Sequence, residues 1–194
     1  MNKENESKEI QAVETNSIVE FGTIRELSKI FYDAGIFEDV KSEAQAIVKI
    51  IAGREMGLSP MESMNGLYIV KGRVEPMASV VSSLIKKDEH YDYRVVSLND
   101  EGCTLMFTKD DKDLGESSFT FKDAAKAGLA NKDVWKNFPR NMMFSRALAN
   151  GKRWYCPHVC SGGVAEEVME LGSIQDTPTE IVEITESGEV KNGK

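Results

Sequence analysis

The spacing of apolar residues along this chain switches from one period to another and back again. The order of those switches constrains the fold more than any other feature. Up to Gly66 the apolar residues recur at helical spacing. Ile24, Leu27, Ile30 and Phe31 share one face of a segment from Thr23 to Ala34, which Gly35 stops. Ser42 and Gln45 form a capping box, hydroxyl and amide each satisfying a backbone N–H near the other. The helix they open buries Ala44, Ile47, Val48 and Ile51 and ends at Gly57. Ser59 and Glu62 repeat the box, with Pro60 at the first helical position, where its missing N–H is harmless. Gly66 keeps that helix short.

Beyond Gly66 the period becomes two. Leu67 to Val70 and Arg73-Val74-Glu75 flank Lys71-Gly72 as a β-hairpin. Pro76 opens a helix with Met77, Val80, Val81, Leu84 and Ile85 inward. Three strands follow: Tyr91 to Leu98, Cys103 to Thr108, and Glu116 to Phe121. They are joined by turns at Asn99-Asp100-Glu101-Gly102 and Asp110-Asp111-Lys112-Asp113. Strands in series with half-buried alternation predict an antiparallel meander. The helical period then returns. Thr120 caps a short helix to Ala127, closed by Gly128, and Pro139 starts a last helix that runs to Ala149 and stops at Asn150-Gly151. The expected class is α+β, a three-stranded meander plus a β-hairpin packed with helices.

Charge separates the ends from the middle. Residues 1–20 hold five acids and two bases, and residues 166–194 hold eight acids and two bases, within a chain whose net charge is −8. Both ends are poor in aromatics and bury too little apolar surface to offset their ordering entropy. The expected organisation is a flexible acidic segment 1–20, a single α+β core 21–165 and a flexible acidic tail 166–194. Thr179 to Thr185 alternates enough to pair as a strand. The longest run without a charge, Trp154 to Ala165, is twelve residues, short of the ~20 that span a membrane. The opening Met1-Asn-Lys-Glu-Asn-Glu lacks the apolar core of a secretory signal. With an odd three cysteines, the chain reads as a cytoplasmic protein with reduced thiols.

Within residues 122–153, eight bases (Lys122, Lys126, Lys132, Lys136, Arg140, Arg146, Lys152 and Arg153) face only Asp123 and Asp133. That segment is either a basic functional surface or an ordinary solvated helix face. Trp135 lies between Lys132 and Lys136, and Trp154 follows Lys152-Arg153. Rings interleaved with cations suit single-stranded nucleic acid, because rings stack on bases while cations follow phosphates. They equally suit core anchors, and Val134 and Phe138 beside Trp135 favour burial there. Lys71 and Arg73 on the hairpin turn can extend the same strip.

Other chemistry lacks its parts. Gly162-Gly163 has no following Lys-Ser/Thr, so no phosphate-binding loop is present. His90 and His158 sit in no nucleophile motif. Cys156, His158 and Cys160 would share one face of an extended strand, and Cys103 could complete a tetrahedral zinc site. Their spacing matches no common knuckle and Pro157 interrupts it, so they read as buried thiols beside a turn. No enzyme activity and no bound cofactor is expected.

The stretch Val48-Lys-Ile-Ile-Ala-Gly-Arg-Glu-Met-Gly-Leu-Ser-Pro, then Gly66-Leu-Tyr-Ile-Val-Lys-Gly-Arg-Val, resembles phage recombinases of the RecT/Red-beta type. So do Phe119-Thr-Phe-Lys-Asp-Ala-Ala-Lys-Ala-Gly-Leu and Trp135-Lys-Asn-Phe-Pro-Arg-Asn-Met-Met-Phe-Ser-Arg-Ala-Leu-Ala-Asn-Gly. The resemblance runs from about Ile47 to Val159. It implies an ATP-independent annealing protein with a small α+β core, working as a homo-oligomer in a phage or prophage setting. A phage exonuclease or host single-strand-binding protein is the implied partner, and a divalent cation such as magnesium can accompany the DNA. The family's basic hairpin falls on Lys71 and Arg73, and its aromatic and basic late helix on Trp135, Lys136, Arg140 and Arg146. Where the family places adjacent cations late in that helix, this chain has Arg146 followed by Ala147-Leu-Ala-Asn, and Lys152 and Arg153 are the cations available instead.

The expected function is therefore binding of single-stranded DNA and annealing of complementary strands, through Lys71, Arg73, Lys132, Trp135, Lys136, Arg140, Arg146, Lys152 and Arg153. The alternative is a phage structural or interaction module that binds no DNA and offers its basic segment to an acidic protein.

Overall fold

Three helices start where a side chain bonds back to the backbone, at Ser42, Ser59 and Thr120. The computed structural model describes residues 21–160 and 162–166. Helix α1 covers residues 21–33, and α2 Glu43–Glu55 starts where the Ser42 side chain accepts from Gln45 N. The Gln45 amide oxygen takes the Lys41 N–H at 2.5 Å, one residue further back than a capping box would place it. Helix α3 Pro60–Gly66 carries the full box, Ser59 and Glu62 each accepting from the other's backbone. Strands β1 Leu67–Val70 and β2 Arg73–Pro76 pair antiparallel across Lys71-Gly72. Both turn residues have positive φ, 51° and 74°, the geometry whose twist suits a two-residue hairpin. Helix α4 Ala78–Lys87 follows, starting two residues after Pro76, which ends β2.

Strands β3 Tyr91–Leu98, β4 Gly102–Lys109 and β5 Lys112–Thr120 form an antiparallel sheet in that order. β5 begins before Glu116 because Asp110 and Asp111 make a two-residue turn by themselves, with φ of 49° and 62°. Helices α5 Phe121–Lys126, α6 Asp133–Asn137 and α7 Pro139–Tyr155 complete the described chain, with Thr120 and Asp123 forming a capping box for α5. The class is α+β.

One face of the sheet presents Tyr93, Cys103, Leu105, Phe107 and Ser117 to α4 and α7, in a cluster that also holds Val81, Ile85, Trp135, Met143 and Leu148. A second cluster, Ile24, Val40, Ala46, Ile50 and Met64, joins α1, α2 and α3.

Three expectations are corrected. The core face of α2 is Ala46, Lys49, Ile50 and Gly53, whereas Ala44 and Val48 are exposed. Two contacts rotate it. Gly53 lies where a Cβ would overlap Ser63 Oγ, and the Lys49 ammonium pairs with Asp39 at 2.8 Å. Burial lowers the Lys49 pKa while Asp39 opposes the shift. On α1, Ile30 points away from the core and is exposed. Finally, α7 does not stop at Asn150-Gly151 but runs on to Tyr155. Gly151 is there for proximity rather than termination, since a Cβ on it would overlap the Phe107 ring.

Residues 1–20 and 167–194, expected to be flexible ends, lie outside the described residues, and so does Thr179 to Thr185. Glu166, assigned to the tail, is instead anchored: its carboxylate accepts from Ala78 N–H at 3.0 and 3.1 Å, at the start of α4. Among the described residues no helix is long and apolar enough to cross a membrane.

Gly151→Ala tests the packing of α7. In an open helix the change gains roughly 0.5–1 kcal/mol. Here it should cost about 1–3 kcal/mol through overpacking against Phe107, read as a lower midpoint of thermal unfolding.

Candidate nucleic-acid interface

Extending α7 past Gly151 decides which late cations face solvent. At 3.6 residues per turn, Arg146, Asn150 and Arg153 recur four and three residues apart and line one face. Arg146 and Asn150 are half-buried and Arg153 is exposed. Arg153 Nη1 donates to Asn150 Oδ1 at 3.3 Å along that line. The Arg146 guanidinium lies over the Phe119 ring, 6.0 Å from its centroid. Trp154 follows Arg153 in the last turn and is 57% exposed, its ring edge-on to Tyr155.

Trp135 and Lys152, two of the expected contact residues, are withdrawn from solvent. Trp135 is fully buried and packs against Phe119 with ring centroids 6.0 Å apart. Its position in α6 turns it inward, so it has no face for a base and acts as the anchor of α6. Lys152 is also buried. Its ammonium donates to Gly162 O at 2.8 Å, while Gly163 N donates to Glu75 Oε2 at 2.5 Å. Lys152 thus ties residues 162–166 to the end of α7, beside the base of the hairpin, and is corrected from a strand contact to a structural one.

The remaining cations fall in three places. Lys71 and Arg73 are exposed at the tip of the β1–β2 turn. Lys132 precedes α6 as its N-cap, and Lys136 is exposed, 3.9 Å from Asp133. Arg140 opens α7 and pairs through Nε with Asp100 of the β3–β4 turn at 2.7 Å. That pairing holds the Asp100 carboxyl below the usual carboxylate range and raises Arg140. Arg140 and Arg153 are thirteen residues apart on one helix, about 20 Å. The nine residues therefore do not form one compact patch. Arg146 and Arg153 share a face, and Phe119 of β5 contacts both Arg146 and the buried Trp135 of α6.

The site expected from sequence contains Trp135 and omits Trp154, although both lie beside cations. The phase of Trp154 is legible only once α7 is carried through Gly151, whereas Trp135 is turned inward by the short helix α6. Lys122 and Lys126 on α5 add further exposed cations.

Cys103, Cys156 and Cys160 are free and buried. Burial pushes the Cys103 and Cys156 thiols up to about 11, which opposes thiolate chemistry there. His158 is exposed and packs edge-on against Tyr91, apart from the thiols' buried setting. Among the described residues no three His, Cys, Asp or Glu side chains gather where they could hold a metal.

Comparison of the chain with protein-family models, with curated proteins and with solved structures returns no match.

The two tryptophans separate fold from contact. Trp135→Ala should cost roughly 3–5 kcal/mol of stability, as for other buried rings. Trp154→Ala should leave the melting temperature nearly unchanged. Thermal unfolding followed by circular dichroism measures both.

Proposed function

We propose that this protein binds single-stranded DNA and anneals complementary strands without ATP, in the recombination of a phage or prophage inside a bacterial cell. The observation that carries the reading is the line Arg146–Asn150–Arg153 on the outer side of α7, ending at the exposed ring of Trp154. Arginines spaced along one helix face can follow successive phosphates, and a neighbouring ring gives a base a surface to stack on. Annealing breaks and makes no covalent bond. It requires that a strand be held by its backbone while its base edges stay available to a second strand. Lys71 and Arg73 on a tight two-residue turn extend the cationic surface beyond α7. Oligomerisation would join the short surface of each protomer into a longer track, and an exonuclease or a single-strand-binding protein would supply the strand. A divalent cation such as magnesium can accompany the DNA.

A second reading has one observation in its favour. Val95, Val96 and Leu98 are about half exposed on β3, an edge strand that could pair with another protein. Salt-sensitive binding to oligonucleotides of any sequence separates the two readings, since it is expected of phosphate contacts and not of a module that binds only protein.

The test is fluorescence of two complementary labelled strands mixed with the protein in the absence of ATP, together with binding isotherms at several salt concentrations. The wild type should accelerate annealing. Arg146→Ala with Arg153→Ala should weaken binding and lower the log–log salt slope by roughly 0.7 for each phosphate no longer neutralised. A folded double mutant with unchanged affinity and slope would remove the α7 face from the site.

A further inference from the structure

The β3–β4 turn and the start of α5 enclose a cavity lined by Asp100, Glu101, Thr120, Phe121 and Lys122. The Phe121 N–H donates to Glu101 O at 2.9 Å, which fixes the first residue of α5 against the turn. The Phe121 ring is 39% exposed. It directly follows Thr120, whose bonds to Asp123 anchor the head of the helix. Arg140 reaches the rim from α7, with Nε 2.7 Å from Asp100 Oδ1. Lys122 is the cation that lines the cavity, Arg140 joins it through its pair with Asp100, and the acids of the lining are Asp100 and Glu101.

We propose that this cavity is a nucleotide subsite for single-stranded DNA, in which Phe121 stacks on a base, Lys122 and Arg140 take the adjoining phosphate, and Asp100 occupies the phosphate position until a strand displaces it. The proposal rests on the DNA-binding reading above and names a contact point that reading does not contain, at the opposite end of α7 from Trp154. An exposed aromatic wall beside two cations fits a ligand that is both flat and anionic, and a single-stranded nucleotide is both. The Asp100 carboxylate meets the guanidinium in the geometry that an anionic phosphate oxygen would adopt. Both partners of that pair are more than half exposed, so exchanging the carboxylate for phosphate buries no uncompensated charge. Asp100 then acts as a local competitor that favours long strands, whose other contacts hold them in place while the exchange occurs.

The experiment is fluorescence anisotropy of labelled oligo(dT) across a salt series. Asp100→Asn should tighten binding several-fold and steepen the log–log salt slope by roughly 0.7, the increment of one phosphate contact. Adding Arg140→Ala to the same chain should abolish that gain. Phe121→Leu keeps apolar bulk at the head of α5 but deletes the stacking face, and should weaken binding by roughly five- to a hundredfold, the range of one base–ring stack. The subsite is overturned if Phe121→Leu binds like the wild type, or if the gain from Asp100→Asn survives in the Arg140→Ala background. The Asp100 arm touches a surface pair alone, so its outcome does not depend on how Phe121→Leu folds. Absence of wild-type binding would overturn the DNA reading itself and the subsite with it, which distinguishes the two failures.

Discussion

Helix α7 lies so close to the sheet that residue 151 has no room for a β-carbon, and the rest of the structure is arranged around that approach. The Phe107 ring fills the space beside Gly151. Ser117 Oγ donates to Ala147 O at 2.7 Å inside the same interface, and Tyr155 Oη donates to Glu116 O at 3.2 Å at its end. Interiors packed at crystal-like density leave little freedom once such contacts are made. The rotation of α7 about its axis is therefore set by the apolar side, and the positions of its cations follow. Ala147, Leu148 and Gly151 go inward, while Arg146 and Arg153 turn away from them, with Asn150 half-buried at the edge beside Met143.

The same constraint explains why a lysine is buried at position 152. The helical phase that turns Arg153 outward turns Lys152 towards residues 162–166, where a backbone carbonyl receives its ammonium. Glu75 and Glu166 complete that tie by accepting from Gly163 and Ala78. A comparable arrangement holds the other cluster, where the Lys49 ammonium meets Asp39, and Asp39 also accepts from Ile69 N in the first strand of the hairpin. In both places a charged residue that composition assigns to solvent fixes the hairpin to its surroundings. Breaking one partner of such a pair leaves an unpaired buried charge, the most damaging outcome for a polar core.

Most of the architecture is legible from local chemistry. The box at Ser59, the cap at Thr120, the turn at Lys71-Gly72 and the alternation of Cys103, Leu105 and Phe107 depend on neighbours in sequence, and sequence contains them. What depends on distant neighbours is not legible in this way. Gly151 looks like a helix stop until Phe107 is placed beside it, and Val48 looks like core until Asp39 pulls Lys49 inward. The candidate site inherits both kinds of outcome. Arg146 and Arg153 are readable as cations on a late helix, but their common face, the exposure of Trp154 and the burial of Lys152 follow from α7 continuing through Gly151, while the burial of Trp135, which its apolar neighbours favour in the sequence, is fixed by α6 packing on Phe119.

If strands lie along the outer face of α7, they meet Trp154 rather than Trp135. Intrinsic tryptophan fluorescence tests this directly, because one indole is exposed and the other fully buried. On titration with unlabelled oligo(dT), the predicted result is quenching of the long-wavelength emission of the exposed indole, with the buried component unchanged. A complex that forms by anisotropy while the tryptophan spectrum stays the same, or in which only the buried component responds, would contradict that placement.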